Sequence, residues 1–274
     1  AQHSTAQHST AQHSTAQHST AQHSTARKWA AVGYLIVLHL FSAALIVKTD
    51  LIPKVKIKLG VVAATPNPHI SNMVRYHQWM DGSVPDKAVI FLGDSITQGL
   101  ATAAIAPYSV NYGIGGENTT QLLDAIPTYK SLMRSGAIVL AIGINDLGQG
   151  MKTGLNDRYQ KIVEALPGKT PLIWSAVMPA KKEKIALPDI ANANDVVKTL
   201  CEKRGNCIFV DTWRFLADKN GQPINHYFLD DGVHLSPEGY KAWIVALKQA
   251  MQLALADAQP IIPPDLAYKA ALGR

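Results

Sequence analysis

The chain has 274 residues and a formal charge of +6, with 47% hydrophobic and 17% charged residues. This composition excludes wholesale disorder and allows one domain of ordinary size, or at most two small ones. Two cysteines are too few for a disulfide-rich scaffold or a four-cysteine zinc module. The lysines and arginines are dispersed, without a basic run interleaved with aromatics, so we predict no nucleic-acid partner.

Residues 1–25 are five tandem copies of Ala-Gln-His-Ser-Thr. The repeat has no charged, aromatic or large aliphatic side chain, so it cannot bury enough surface to offset its ordering entropy, and we predict a disordered tail. One possible choice of codons for this repeat is itself a tandem repeat of a shorter unit of bases. Slippage by one such unit would shift the reading frame, so expression of the gene could be switched on and off. We expect such switching mainly of genes that alter bacterial surfaces.

The segment Trp29–Val47 contains no charged side chain. At about 1.5 Å per residue in a helix, it is long enough to cross the hydrocarbon core of a bilayer. We therefore predict a transmembrane anchor over residues 26–48. A cleaved signal peptide is the alternative, because Ser42, Ala43 and Ala44 offer small residues for cleavage.

The orientation of this anchor is open to two interpretations. Four lysines between residues 48 and 58 outnumber Arg27 and Lys28, which by the positive-inside count places the main domain in the cytoplasm. A short polar tail, one apolar segment and a large domain are instead typical of an exported protein. We predict a single-pass protein of the bacterial inner membrane with a periplasmic main domain, where Cys201 and Cys207 form either a disulfide or two separate thiols.

Residues 49–71 alternate lysine with aliphatics and include several prolines, which indicates a stalk or linker. The compact domain is predicted over residues 72–258, followed by an extended, proline-containing tail over residues 259–274. Five apolar runs in the domain read as buried strands: Ala88–Leu92, Ser109–Ile114, Ala137–Ile142, Pro171–Val177 and Cys207–Val210. Helical segments are predicted between and after them: Thr119–Met133, Asn156–Leu166, Asp189–Lys203 and Pro237–Ala256. This alternation predicts an α/β fold, a five-stranded parallel sheet covered by helices on both faces.

Ligands of such a sheet gather at the carboxyl ends of the strands, so the residues that follow the strands are the first candidates for a site. Four blocks of small and polar residues stand out: Gly93-Asp94-Ser95, Gly113-Ile114-Gly115-Gly116-Glu117, Gly143-Ile144-Asn145-Asp146 and Asp231-Gly232-Val233-His234. In order and spacing these blocks resemble those of the SGNH family of GDSL-type serine hydrolases. The resemblance covers about Ala88–Leu255 and implies a three-layer αβα sandwich with SGNH/flavodoxin-like topology.

The position of each catalytic candidate also suits its role on physical grounds. Ser95 follows a buried strand and a glycine that permits a tight turn, so its hydroxyl can face the cleft as a nucleophile; alone, it would equally read as a helix N-cap. Asp231 lies three residues before His234, close enough to accept a hydrogen bond from one imidazole nitrogen while the other faces Ser95. Asp230 competes with Asp231 for this role, and the family spacing favours Asp231.

The resemblance also implies an oxyanion hole formed by the backbone N–H groups of Ser95 and Gly116 and the side-chain amide of Asn145. Gly116 is preferred to Gly115 because residues 111–120 are similar to the catalytic subunits of platelet-activating-factor acetylhydrolase. The acidic residue after that glycine is usually Asp, whereas Glu117 stands here. Asp94 and Asp146 are interpreted as structural residues that hold the loops through backbone N–H groups.

No cofactor and no metal are predicted. His69, His77 and His226 lack partners at ligand spacing, and the glycine-rich stretch 113–116 does not match a dinucleotide fingerprint. We predict a membrane-anchored serine esterase that cleaves a short-chain acetyl ester, on a small molecule or envelope glycan, through an acyl-serine intermediate. An O-acyltransferase with the same triad, a lysophospholipase or thioesterase, and a glycan-binding module without activity are the alternatives.

Overall fold

The structure is a computed structural model that describes residues 27–44 and 67–256. The chain divides into two compact units, Ala1–Thr65 and Pro66–Arg274. The predicted repeat tail, most of the predicted stalk and the predicted C-terminal tail over residues 259–274 lie outside the described residues.

In the first unit, residues 27–44 form helix α1, and every residue of it is exposed. This helix covers most of the predicted anchor, whose last residues, 45–48, lie outside the described part of the chain. None of the helices described, over residues 27–44 and 67–256, combines the length and apolar character needed to cross a membrane. The predicted anchor is therefore not confirmed.

The second unit contains a five-stranded parallel sheet, as predicted. Its strands are β1 (Val89–Gly93), β2 (Ser109–Gly113), β3 (Ala137–Ala141), β4 (Leu172–Ser175) and β5 (Cys207–Val210). The strand order is β2-β1-β3-β4-β5, and each neighbouring pair is parallel. This order is the flavodoxin-like topology, which brings the carboxyl ends of β1, β2 and β3 side by side.

Each face of the sheet has its own hydrophobic core, because successive side chains of a strand point to opposite faces. On β1, Ile90 and Leu92 belong to one core, whereas Val89 and Phe91 belong to the other. All five residues of β1 and of β3 are buried. Strands covered on both faces read as continuous apolar runs, which explains why the sequence located them well.

Helices cover both faces of the sheet. Along the second unit they are α2 (Pro68–Asp81), α3 (Ser95–Gln98), α4 (Thr119–Ala125), α5 (Ile144–Gly148), α6 (Leu155–Ala165), α7 (Leu187–Arg204), α8 (Trp213–Leu216) and α9 (Pro237–Ala254). Helices α2, α4, α5, α6 and α7 contribute to the core that contains Leu92, whereas α3, α8 and α9 contribute to the core that contains Phe91. The predicted three-layer αβα architecture is confirmed.

The boundary between stalk and domain differs from the prediction. Helix α2 begins at Pro68, so residues 68–71 of the predicted stalk belong to the first helix of the domain. The Asn67 side chain caps this helix by accepting a hydrogen bond from the backbone N–H of His69 at 3.0 Å. Proline is favoured in the first helical turn, where its missing N–H costs nothing, so Pro68 starts the helix rather than marking an extended linker.

The predicted helix Thr119–Met133 is shorter than expected. Helix α4 ends at Ala125 and is followed by two 3-10 turns, Ile126–Thr128 and Lys130–Arg134. Pro127 explains the break, because a proline inside a helix lacks the N–H and clashes with the preceding turn.

The two cysteines are joined in a disulfide that connects α7 to β5. Their Cα atoms are 5.1 Å apart, within the range that a disulfide requires. The structure thus favours the disulfide over two separate thiols.

Candidate active site

Ser95 lies where β1 turns into α3 at the carboxyl edge of the sheet. Gly93 has a φ of +156°, and a methyl group there would lie 2.2 Å from the carbonyl oxygen of Ala141, so no larger residue fits. The buried Asp94 caps α3 by accepting a hydrogen bond from the backbone N–H of Ile96 at 3.0 Å. These two residues fix the turn that presents the Ser95 hydroxyl, and Asp94 has the structural position that was predicted.

Ser95, His234 and Asp231 come together as the sequence predicted. Ser95 Oγ lies 2.8 Å from His234 Nε2, and His234 Nδ1 is hydrogen-bonded to Asp231 Oδ2. With its N–H on Nδ1 donating a hydrogen bond to the carboxylate, the imidazole has Nε2 free to accept a hydrogen bond from the serine hydroxyl. The arrangement can therefore withdraw a proton from Ser95 and hold the resulting imidazolium.

The Asp231 carboxylate also organises its own loop. Its Oδ1 accepts hydrogen bonds from the backbone N–H groups of Val233 and His234, both at 3.0 Å. Burial acts to raise the pKa of Asp231, but the hydrogen bonds from the His234 ring and from these N–H groups prevail and lower it to about 2. Asp231 is thus ionised at neutral pH, and the position of its carboxylate decides between it and Asp230.

The predicted oxyanion donors lie on the loops that follow β2 and β3. Asn145 Nδ2 donates a hydrogen bond to the backbone oxygen of Glu117 at 2.9 Å, which fixes the amide and leaves its second N–H available. The backbone N–H of Gly115 is already used, because it donates to Gln98 Oε1 at 2.7 Å. Gly116, with a φ of +81°, has no hydrogen-bond partner for its N–H within residues 67–256. This difference favours Gly116 over Gly115 as a donor.

Asp146 joins the two oxyanion loops. Its fully buried carboxylate accepts hydrogen bonds from the backbone N–H and the hydroxyl of Thr119, at 3.0 and 2.5 Å, and pairs with Arg158 at 3.2 Å. The loop that carries Asn145 is thereby tied to the start of α4, just after Gly116. The structural role predicted for Asp146 matches these contacts.

The amino-acid sequence of this chain matches a known protein family. The chain matches the GDSL-like Lipase/Acylhydrolase family over residues 91–242, more than half of its length. It belongs to this family. The matched region contains Ser95, Gly116, Asn145, Asp231 and His234, and this acylhydrolase is a carboxylic ester hydrolase.

Solved structures share the fold of this acylhydrolase. A Streptococcus pneumonia protein assigned as a platelet activating factor is 23% identical, with a TM-score of 0.56 over 69% of this chain and 92% of that one. A Bacteroides fragilis protein assigned as an acylhydrolase is 22% identical (TM-score 0.57, 66% and 96% covered), and a GDSL-like lipase from Bacteroides thetaiotaomicron is 20% identical (TM-score 0.57, 68% and 100% covered). A search of curated proteins finds no match.

A small cavity lies beside the nucleophile. It has a volume of about 10 Å³, room for about one water molecule. The residues flanking Ser95 and the ends of β3 and β4 line it: Asp94, Ile96, Ala141, Ile142, Ile144, Ala176, Val177 and Met178. The lining is almost entirely apolar, so the cavity suits a small hydrophobic group.

Two residues near Ser95 were not singled out by the sequence analysis as parts of the site. Gln98 holds the Gly115 N–H, and His69, at the start of α2, lies close to the same loop. The sequence offered little signal for His69, because α2 was not predicted and the residue was considered only as a metal ligand. His77 is elsewhere: it is buried and lies 3.2 Å from the hydroxyl of Tyr129, and burial lowers its pKa to about 4.

Glu117 is the unexpected residue of the site. Its side chain is fully buried, and neither carboxyl oxygen has a hydrogen-bond partner in the described part of the chain. Burial first, and then the charge of Asp94, raises the pKa of Glu117 to about 9, so the carboxyl group is neutral at pH 7. The Glu that stands where the family usually has Asp is therefore a buried and protonated acid next to Gly116 in the chain.

We expect Glu117 to make the stability of this acylhydrolase depend on pH. Between about pH 4.3 and the folded-state pKa, the unfolded chain has released a proton that the folded chain retains, so the free energy of unfolding falls as pH rises. We expect wild type to lose stability relative to Glu117→Gln from about pH 5 to pH 9, measured by urea denaturation. The exposed Glu202→Gln is the matched control, and parallel pH curves for wild type and Glu117→Gln would show that Glu117 is ionised in the folded protein.

Proposed function

We propose that this acylhydrolase removes a short acyl group, acetyl first, from an ester on an envelope glycan, through an acyl-enzyme on Ser95. The observation that carries the proposal is the chain of contacts from Ser95 Oγ to His234 Nε2, at 2.8 Å, and from His234 Nδ1 to Asp231. Such a chain serves nucleophilic attack on a carbonyl carbon and requires no cofactor.

The reaction proceeds in two halves. Ser95 Oγ attacks the ester carbonyl carbon while its proton passes to His234 Nε2, and the tetrahedral intermediate then expels the alcohol, which takes that proton. Water enters, gives a proton to His234 Nε2 and attacks the acyl-Ser95 carbonyl. The bond to Ser95 Oγ breaks, the proton returns to the serine, and the carboxylic acid leaves. Ionised Asp231 stabilises the imidazolium in both halves.

The negative oxygen of each intermediate needs donors that are in place before the reaction. The backbone N–H groups of Ser95 and Gly116 and the free N–H of the Asn145 amide are the donors we assign. Each preorganised donor of this kind is worth about 3 to 4 kcal/mol in the transition state. The bond from Asn145 Nδ2 to the Glu117 carbonyl supports this assignment, because it restricts the amide to one orientation.

The small cavity at the turn that carries Ser95 supports a short acyl group. It has a volume of about 10 Å³ and is lined by side chains such as Ile96, Ile144 and Val177, which favours a methyl group over an alkyl chain. A longer chain would have to displace well-packed side chains at the ends of β3 and β4, which is costly in a close-packed interior. This supports acetyl over the longer acyl groups of lysophospholipids.

The esterase activity is tested with the full chain on p-nitrophenyl acetate, butyrate and octanoate. Ser95→Ala and His234→Ala should each lower kcat by about ten-thousandfold, because the nucleophile or its base is lost. The exposed Ser83→Ala serves as the control. We expect kcat/KM on acetate to exceed that on octanoate by at least about tenfold.

Two results would contradict the proposal. Turnover that survives Ser95→Ala would place the chemistry elsewhere, and a preference for octanoate would move the substrate to lipids or thioesters. Product analysis with an added sugar acceptor separates hydrolysis from O-acyl transfer, which uses the same triad with a sugar hydroxyl in place of water.

The location of the enzyme is part of the same proposal: an inner-membrane anchor at Trp29–Val47, with the hydrolase domain in the periplasm. The charge-free apolar sequence supports the anchor, and the Cys201–Cys207 disulfide supports an oxidising compartment. We expect the full chain to stay in the membrane pellet after alkaline carbonate extraction and to be digested by protease added to spheroplasts. Release by carbonate would contradict the membrane anchor, and protection from the protease would contradict the periplasmic location.

A further inference from the structure

The exposed face of helix α2 begins next to the nucleophile. A methyl group placed on Gly115 would lie 2.9 Å from Gln98 Oε1, 3.6 Å from His69 Nε2 and 3.9 Å from Ser95 Cβ. The side chains of His69, Gln98 and Ser95 therefore converge on one point at the surface of the oxyanion loop.

No hydrogen bond within the described part of the chain explains the position of the His69 side chain. Its imidazole is exposed and makes no hydrogen bond to any residue the structure describes, whereas Gln98 is occupied by the Gly115 N–H at 2.7 Å. An imidazole offers one donor and one acceptor, which matches a sugar hydroxyl. His69 is thus available to contact a bound substrate near Ser95.

The position of His69 identifies the part of the substrate that it would meet. The cavity that we propose for the acyl group lies between the neighbours of Ser95 in the chain and the ends of β3 and β4. His69 lies against the loop that follows β2, which neighbours β1 on the opposite side of the sheet. An ester whose acyl group occupied this cavity would extend its alcohol portion towards His69.

An exposed strip continues from His69 along α2. Residues 69, 72, 76 and 79 follow the spacing of neighbours on one helix face, and all four are exposed. At about 1.5 Å per residue, the strip is about 15 Å long, enough for several sugar rings in a row. Asn72 adds an amide that can donate and accept hydrogen bonds.

The far end of the strip carries two aromatic rings. Tyr76 and Trp79 have ring centroids 5.3 Å apart and are 51% and 68% exposed, so large apolar surfaces face solvent. Exposed aromatics of this kind mark a contact surface, because they leave apolar area in water. Sugar rings present C–H groups on their faces and hydroxyls at their edges. The C–H faces suit the two aromatic rings, and the hydroxyls suit the polar side chains of Asn72 and Arg75, which are also exposed.

We propose that the strip formed by His69, Asn72, Tyr76 and Trp79 binds the glycan chain that carries the ester. His69 contacts the sugar attached to the scissile ester, and the two aromatic rings stack on sugars further along the chain. This inference rests on the proposed function, since it names the polymer that presents the ester to Ser95.

The test compares esters of increasing length with the full-chain enzyme. Tyr76→Ala and Trp79→Ala, singly and together, are assayed on p-nitrophenyl acetate and on O-acetylated cello-oligosaccharides from monosaccharide to hexasaccharide. We expect the double variant to lower the ratio of kcat/KM on the hexasaccharide to kcat/KM on p-nitrophenyl acetate by about tenfold, through KM. His69→Ala should raise KM from the monosaccharide onwards. Leu253→Ala, 66% exposed on α9, is the control and should change neither substrate.

A binding measurement separates this inference from the proposed function. Ser95→Ala enzyme, with and without the two aromatic substitutions, is run through gels that contain soluble cellulose derivatives. Retardation that depends on Tyr76 and Trp79 supports the strip even if no acetylated sugar is hydrolysed. Equal ratios for wild type and the double variant, or binding to phosphatidylglycerol vesicles that requires Trp79 while oligosaccharide kinetics stay unchanged, would overturn it.

Discussion

The hydrogen bond between Ser95 Oγ and His234 Nε2 joins residues 139 positions apart in the chain. Ser95 follows β1, whereas His234 lies after β5 and just before α9, so the bond joins distant parts of the chain that the fold brings together. Gly93, Asp94 and the short turn at Asp231 fix both partners, and each is determined by backbone sterics or by capping. The catalytic geometry therefore depends both on these local turns and on the topology that brings them together.

Buried acidic residues flank the assigned oxyanion donors. Each assigned oxyanion donor has a buried acidic residue as its immediate neighbour in the chain: Asp94 beside Ser95, Glu117 beside Gly116 and Asp146 beside Asn145. Asp94 and Asp146 accept hydrogen bonds that hold backbone and loops in place. Glu117 has no such partner in the described part of the chain, and burial raises its pKa to about 9, so its carboxyl group is neutral at pH 7. The assigned oxyanion donors are thus flanked by two acids that organise loops and by one that burial keeps neutral.

The sequence predicted the strands and the convergence of Ser95, Asp231 and His234 because buried parallel strands are continuous apolar runs and sites lie at their carboxyl ends. The prediction failed where a proline was compatible with more than one local structure. Pro68 read as a linker proline although Asn67 makes it the start of a helix, and Pro127 was passed over inside a predicted helix. The burial of Glu117 and the approach of His69 to Ser95 depend on tertiary packing, for which the linear sequence contains no pattern.

Identification of the covalent intermediate is the most direct test that Ser95 is the nucleophile. Wild-type enzyme is mixed with excess p-nitrophenyl acetate, quenched in acid within the first turnover, digested and examined by mass spectrometry. We expect an acetyl group on the peptide that contains Ser95, with much less in His234→Ala. An acetyl group on another residue, or none at Ser95 at time points where turnover shows a burst, would contradict the assignment of Ser95 as the nucleophile.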